Sequence, residues 1–262
     1  MRKSNTIVTG ILGLLVFQVA TASATSVTAK FTSIGPHGGS GVRVYYTPDT
    51  GSPRAENTIA GMYNWTQVGT ANPLIPQTFG TFCMDVEGTI YLNRTYTWDV
   101  LTGRAEIVGT APSRTPPGGA IQDEQYDRLL KLYALYFKPD DGTWTNTEAA
   151  AFGAAVWELV WESPAGAGGL PSAYDVDGDL LRVYNNGSVT DRAQAMLNDV
   201  MTSNIVADGV LYALVNTDSG QDQMLAFGVG SNPPHVPEPL TLLALGSGVI
   251  GLAGYVRRRR LA

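Results

Sequence analysis

The sequence predicts an α+β protein: a β-sandwich or barrel-like body carrying a helical insertion of about three helices, with an N-terminal signal peptide and a C-terminal hydrophobic helix. Three observations predict it. Thr25 to Val100 reads as β, with apolar and polar residues alternating over Val27–Thr32 and Gly41–Thr47 as in half-buried strands, and the chain returns to β after Gly209. Helical spacing is confined to the middle, from Glu124 to about Thr202. The two chain ends are apolar runs with basic residues at their outer edges. Strands, then helices, then strands again argue for one α+β unit rather than alternating βαβ units.

The elements follow in chain order. Arg2 and Lys3 form a basic start, Ile7 to Ala20 is a short apolar run, and Ala22-Ser23-Ala24 is a small-residue cleavage site, so residues 1–24 read as a signal peptide. The body spans 25–230. Strands are expected at Val27–Thr32, Gly41–Thr47, Gly61–Val68, Thr81–Val86 and Ile90–Val100. Turn-rich Gly35–Gly39 and Pro48–Gly51 separate the first three. In the fourth strand Phe82, Met84 and Val86 share one face, which puts Cys83 and Asp85 on the other. Ala111–Gly119 is a Pro/Gly loop. Asp123 is the expected N-cap of a helix over Glu124–Phe137. Thr145, with Glu148 three residues on, reads as a capping box for a helix through Glu162, stopped by Ser163-Pro164, and Thr190 is the expected cap of a third helix to about Thr202. Tyr174–Tyr184 reads as a hairpin about Asp177-Gly178. Gly209–Asn216 and Gln223–Val229 are the last strands, and 231–235 is a linker.

The tail, 236–262, has three parts in order. Pro237-Glu238-Pro239 cannot lie inside a helix, because each Pro lacks an N–H and disfavours helix in the residue before it. Leu240 to Val256 is an apolar run close to bilayer-spanning length, and Arg257, Arg258, Arg259 and Arg260 hold its end on the cytoplasmic side. One reading of this pattern is a plain C-terminal membrane anchor. Triplet, apolar run, basic cluster and chain end together resemble the PEP-CTERM sorting signal of exported bacterial proteins. That resemblance implies processing by an exosortase, a transient stop in the inner membrane, cleavage near Pro237-Glu238-Pro239, and delivery to the cell surface or an extracellular matrix.

The full chain has 23 acidic and 17 basic residues. Six of the basic ones and one acidic one lie in the two ends, which leaves the body strongly acidic. An acidic body without a basic patch argues against nucleic acid as a partner. Cys83 is the one cysteine, so no intrachain disulfide can form. Its thiol is buried and inert, paired between chains, or chemically used.

Several chemistries are absent from the pattern. There is no G-x-S-x-G and no H-E-x-x-H, and His37 and His235 both lie among turn residues, which argues against a serine triad or a histidine metal site. Gly246 to Gly251 matches G-x-G-x-x-G but lies in the tail, where no βαβ unit can follow. Asp175, Asp177 and Asp179 alternate, but Gly178 precedes the third acid and the bidentate Glu is missing, so a turn is the better reading than calcium binding. No metal or cofactor is expected. Glu158 and Glu162 share a helix face and could mimic the paired carboxylates of a secreted polysaccharide hydrolase, but a solvated face is the simpler reading. Trp157 and Trp161, four apart, read as core packing.

What remains is a constellation: Phe82-Cys83-Met84-Asp85 on an early strand, Ala149 to Glu158 on the central helix, and Gly220-Gln221-Asp222-Gln223-Met224-Leu225 opening the last strand. In this order and spacing the three blocks resemble the bacterial surface thioester domains. The resemblance implies a non-enzymatic module in which Cys83 joins its sulfur to the side-chain carbonyl of Gln223 or Gln221, losing one ammonia. It also implies a target that bears an amine or is a surface polysaccharide. The central helix of that family usually carries a Gln four residues before its Trp, and commonly a Thr before that. Here Trp157 is preceded at those positions by Gly153 and Phe152. The competing reading is a purely structural matrix protein with an inert Cys83.

Overall fold

The computed structural model describes residues 26–48, 52–110, 119–137, 144–162, 174–178, 180–216 and 220–229. The expected signal peptide, the linker and the tail from Val236 lie outside them.

Among the described residues the alternating segments become seven strands, in chain order β1 Ser26–Tyr46, β2 Arg54–Gln67, β3 Thr78–Cys83, β4 Thr95–Thr102, β5 Leu181–Tyr184, β6 Val210–Asn216 and β7 Gln223–Phe227. Around the sheet the order is β2-β3-β7-β6-β4-β1, and β1 pairs back onto β2, so six strands close a barrel with no open edge in the ring. β5 adds to the far half of β1, from Arg43↔Tyr184 to Tyr46↔Leu181. The barrel is the outcome of the sandwich-or-barrel expectation.

The first two expected strands are one. β1 runs 21 residues, and the turn-rich Gly35–Gly39 is absorbed as an irregularity in its pairing with β2 between Gly35 and Ser40. Gly39 makes this possible: it sits at φ +71°, and a side chain there would meet the Ala60 carbonyl oxygen at 2.5 Å. The bend lets one half of β1 pair with β4, from Ser26↔Asp99 to Lys30↔Thr95, while the other half reaches β5. One expected strand is displaced and one is shorter. β3 keeps six residues but runs Thr78–Cys83 rather than Thr81–Val86. β4 starts at Thr95 rather than Ile90, because Asn93 is left-handed at φ 65° and the Arg94 N–H closes a turn on Tyr91 O.

Four helices are described: α1 Gly103–Ile107, α2 Asp123–Tyr136, α3 Asn146–Trp161 and α4 Gly187–Thr202. The short α1 was not anticipated. α2 is capped by Gln122 rather than Asp123, in a reciprocal box with Gln125; Gln125 in turn donates to Leu159 O of α3 at 3.0 Å. α3 starts as expected, with the Thr145 hydroxyl accepting from Glu148 N–H at 3.1 Å, while the Glu148 carboxylate turns to Arg192 of α4 at 2.9 Å. α4 begins at Asn186, not Thr190, whose hydroxyl bonds back to Asn186 O from inside the first turn. The Asp177-Gly178 segment is a turn, with Gly178 N–H on Asp175 O at 2.9 Å, and only its second arm, β5, is a strand.

Two aromatic clusters form the core. Phe31, Trp65 and Trp98 come from β1, β2 and β4, with Trp65 and Trp98 edge to face at 4.7 Å. Phe82 of β3 meets Tyr133 and Phe137 of the α2 end and Phe152 of α3, the last at 4.4 Å. α3 is the hub between barrel and helices: every residue from Ala149 to Trp161 is buried. Trp157 and Trp161 are core residues, as expected. The solvated carboxylate face is corrected. Glu158 is fully buried, and Glu162 is half-buried and accepts from Leu181 N–H at 2.6 Å. A helix covered by the barrel on one side and by α2 and α4 on the other has no solvent face to offer.

Candidate functional site

β3 and β7 bring two side chains of the constellation together. Cys83, the last residue of β3, lies opposite Gln223, the first of β7, and Phe82 lies opposite Met224. The next rung is hydrogen-bonded, with Met84 N–H on Asp222 O at 2.9 Å. Antiparallel rungs alternate, so Cys83 and Gln223 form a non-hydrogen-bonded pair, the kind in which facing side chains are closest, with Cα atoms about 4.5 Å apart. Both are buried, at 1% and 0% exposure.

Gln221 goes elsewhere. Its Nε2 donates to Gly88 O at 2.5 Å, and its own backbone carbonyl accepts from the Trp98 indole at 3.0 Å. Gly88 has to be glycine here: an added Cβ would stand 2.4 Å from Gln221 Cγ. Of the two glutamines the sequence left open, Gln223 is the one opposite the sulfur.

The chain beyond Cys83 does not continue as the strand that alternation suggested. It folds around the sulfur: the thiol donates to Asp85 O at 2.7 Å and accepts from Asp85 N–H at 3.3 Å. The Asp85 carboxylate then caps the following turn, taking Glu87 N–H at 2.8 Å and Gly88 N–H at 3.2 Å. Asp222, also buried, accepts Asn216 N–H at 2.7 Å and so ties the end of β6 to the start of β7.

Burial pushes the Cys83 thiol well above its ordinary pKa of 9.0, and the carboxylates of Asp85 and Asp222 push the same way. The hydrogen bonding at Asp85 and the nearby Trp157 indole oppose the rise. Trp157 Nε1 has no partner in good hydrogen-bond geometry among the described residues, but it is near enough to the sulfur to favour a thiolate. Gly153, one turn earlier, is not at the sulfur: a Cβ there would touch the Phe82 ring at 3.6 Å and the Gly61 backbone at 3.8 Å. Phe152 fills the aromatic cluster beside it.

Three participants were not singled out from the sequence. The Thr81 hydroxyl donates to Gln223 Oε1 at 2.7 Å and accepts from Trp65 Nε1 at 2.8 Å. Tyr63, opposite Thr81 in the β2–β3 ladder, has its hydroxyl pKa raised by burial and by its nearness to Cys83. Thr81 was within reach of sequence reasoning, since it stands two residues before Cys83 on a strand and therefore on the same face. Trp65 and Tyr63 required the pairing of β2 with β3.

A cavity of about 280 Å³ opens beside the site, lined among others by Tyr46, Glu56, Tyr63, Gly88 and Gln221. Among the described residues no cluster of three metal-ligating side chains occurs. The arrangement sets a buried thiol opposite a buried side-chain amide whose carbonyl oxygen accepts a hydroxyl hydrogen bond.

No family model and no curated protein sequence matches the chain. Solved structures are similar to it at low identity. The N-terminal thioester domain of a surface protein from Clostridium perfringens matches 71% of this chain and 97% of its own, with 12% identity and a TM-score of 0.38. The N-terminal domain of the Streptococcus pyogenes pilus tip adhesin Cpa matches 74% and 98%, with 12% identity and a TM-score of 0.40. The N-terminal thioester domain of fibronectin-binding protein SfbI from Streptococcus pyogenes matches 74% and 96%, with 10% identity and a TM-score of 0.39. Identity and TM-score are both low, so the chemistry of the site rests on its own geometry.

Proposed function

We propose that this protein forms an internal thioester between Cys83 Sγ and Gln223 Cδ and uses it once, without turnover, to attach covalently to a target outside the cell. The observation that carries the reading is the facing of the only cysteine and a buried glutamine in a non-hydrogen-bonded strand pair. A thioester in a dry core is shielded from hydrolysis yet remains open to a positioned nucleophile. The cavity lined by Tyr63 and Gln221 lies beside the pair, and the exposed Glu56 carboxylate that also lines it favours an amine over an anion. In the same reading the signal peptide exports the chain, and the PEP-CTERM-like tail holds it transiently in the inner membrane for an exosortase, which releases it to the cell surface or matrix.

Intact-mass measurement of the purified protein tests this. A thioester shows as a deficit of one ammonia, absent from Cys83→Ala and reversed as a mass gain by an added amine. A second reading, a structural matrix protein, is favoured by the burial and the two carboxylates that hold the thiol protonated. It requires full mass and a thiol that reacts freely once the chain is unfolded.

A further inference from the structure

We propose that the Thr81 hydroxyl is the group that activates the Gln223 carbonyl for attack by Cys83, with Trp65 as the positioning residue behind it. This deepens the thioester reading and rests on it.

The geometry specifies the direction of the proton. An indole N–H can only donate. Trp65 Nε1 therefore occupies a lone pair of Thr81 Oγ1 at 2.8 Å and leaves the hydroxyl hydrogen for Gln223 Oε1 at 2.7 Å. Trp65, Thr81 and Gln223 are all buried, Thr81 and Gln223 fully. A hydrogen bond aimed at a carbonyl oxygen in a water-free site is worth more than in solution, and most when that oxygen becomes an anion. The far end of the same amide is unrestrained: Gln223 Nε2 has no hydrogen-bond partner among the described residues. One end of the amide is polarised, and no described residue hydrogen-bonds the end that must leave.

The step balances without a co-reactant. Sulfur attacks Cδ, the S–C bond forms, and the carbonyl π pair moves to Oε1, where the Thr81 hydroxyl meets the growing charge. When the carbonyl re-forms, the Cδ–Nε2 bond breaks. The nitrogen departs with its own two hydrogens and the thiol proton, as ammonia. No atom is oxidised or reduced. With the thiol held protonated by burial and by Asp85 and Asp222, the nucleophile is weak, and activation of the carbonyl carries more of the reaction.

The test follows thioester formation over time in the full-length chain, made by cell-free synthesis and sampled by intact mass. Thr81→Val keeps the shape and removes the proton. Formation is expected to slow by about a hundredfold, the effect of deleting one oxyanion donor. Thr81→Ser restores the hydroxyl and is expected to form at close to the parental rate. Since Thr81→Val orphans the Trp65 N–H and could fail to fold for that reason, the pair Trp65→Phe with Thr81→Val tests the same loss with no orphaned donor. Parental formation with an equally fast Thr81→Val chain overturns the role of Thr81 and leaves the thioester standing. Equal slowing in the serine and valine chains also overturns it, because the hydroxyl would then be irrelevant. A parental chain that never shows the ammonia deficit overturns both.

Discussion

Water exclusion controls the protonation of side chains around Cys83, and it does so with one sign. Tyr133 is raised well above 10.0 by burial, and Tyr63 is raised by burial and by Cys83. An unfolded chain gives up these protons near the ordinary tyrosine value while the folded chain keeps them. The folded state thus binds more protons above that value, and stability falls as pH rises. This contribution is complete below about pH 10 and is lost as pH climbs towards the folded values. The melting temperature is expected to drop as pH rises above about 10, and Tyr133→Phe to flatten that drop while losing the bond to Met224 O; an unchanged slope would remove Tyr133 from the account. At the same scale the two glutamines separate. Gln223→Glu, which offers a poor acyl donor of the same shape, is expected to abolish the ammonia deficit. Gln221→Ala, whose side chain bonds Gly88 instead, is expected to keep it. The opposite pattern in the mass spectra would assign the pair to Gln221.

At the scale of elements, α3 was the most legible. Thr145 and Glu148 marked its start, Ser163-Pro164 marked its stop, and the apolar run between them was long enough to exclude a strand. Its surroundings were not legible, because burial on all sides depends on what packs against it; that is why Glu158 read as solvated. Val156 is fully buried, so Val156→Asp is expected to destabilise the body by several kcal/mol in a denaturant titration. Gly153 has the opposite expectation. A methyl there meets only ordinary van der Waals contacts, at 3.6 Å and beyond, and alanine is the better helix former by about 1 kcal/mol. Gly153→Ala should raise stability by up to about that amount, and a loss would mean that the Phe82 ring cannot tolerate the contact. The caps of α2 and α4 were misplaced by one to four residues: Gln122 is a weaker cap signal than the neighbouring Asp123, whereas Asn186 is a good cap residue that was passed over, and its side chain bonds Gly41 O instead of the helix start.

At the scale of the molecule, the barrel closes only when β7, near the end of the body, inserts between β3 and β6. The last strand thus both completes the ring and delivers Gln223, which couples folding to assembly of the site. The proposed processing concerns the chain beyond it. Changing Pro237-Glu238-Pro239 to alanines is expected to leave a membrane-held, uncleaved form, and a shortened, released variant in the cell fractions would sink the sorting reading.

Strand alternation follows from local chemistry, so the sequence alone determined that Cys83 turns away from Phe82 and that an α+β body holds its helices in the middle. The same period places Thr81 on the face of Cys83. Tertiary structure decided what stands opposite that face. Thr81 and Gln223 are 142 residues apart, and their meeting depends on the β3–β7 register, which no local propensity encodes. A shift of one residue would turn the Gln223 side chain to the other face. Closure of the barrel excludes that shift, because β7 must also match β6 from Val210↔Phe227 to Leu214↔Gln223.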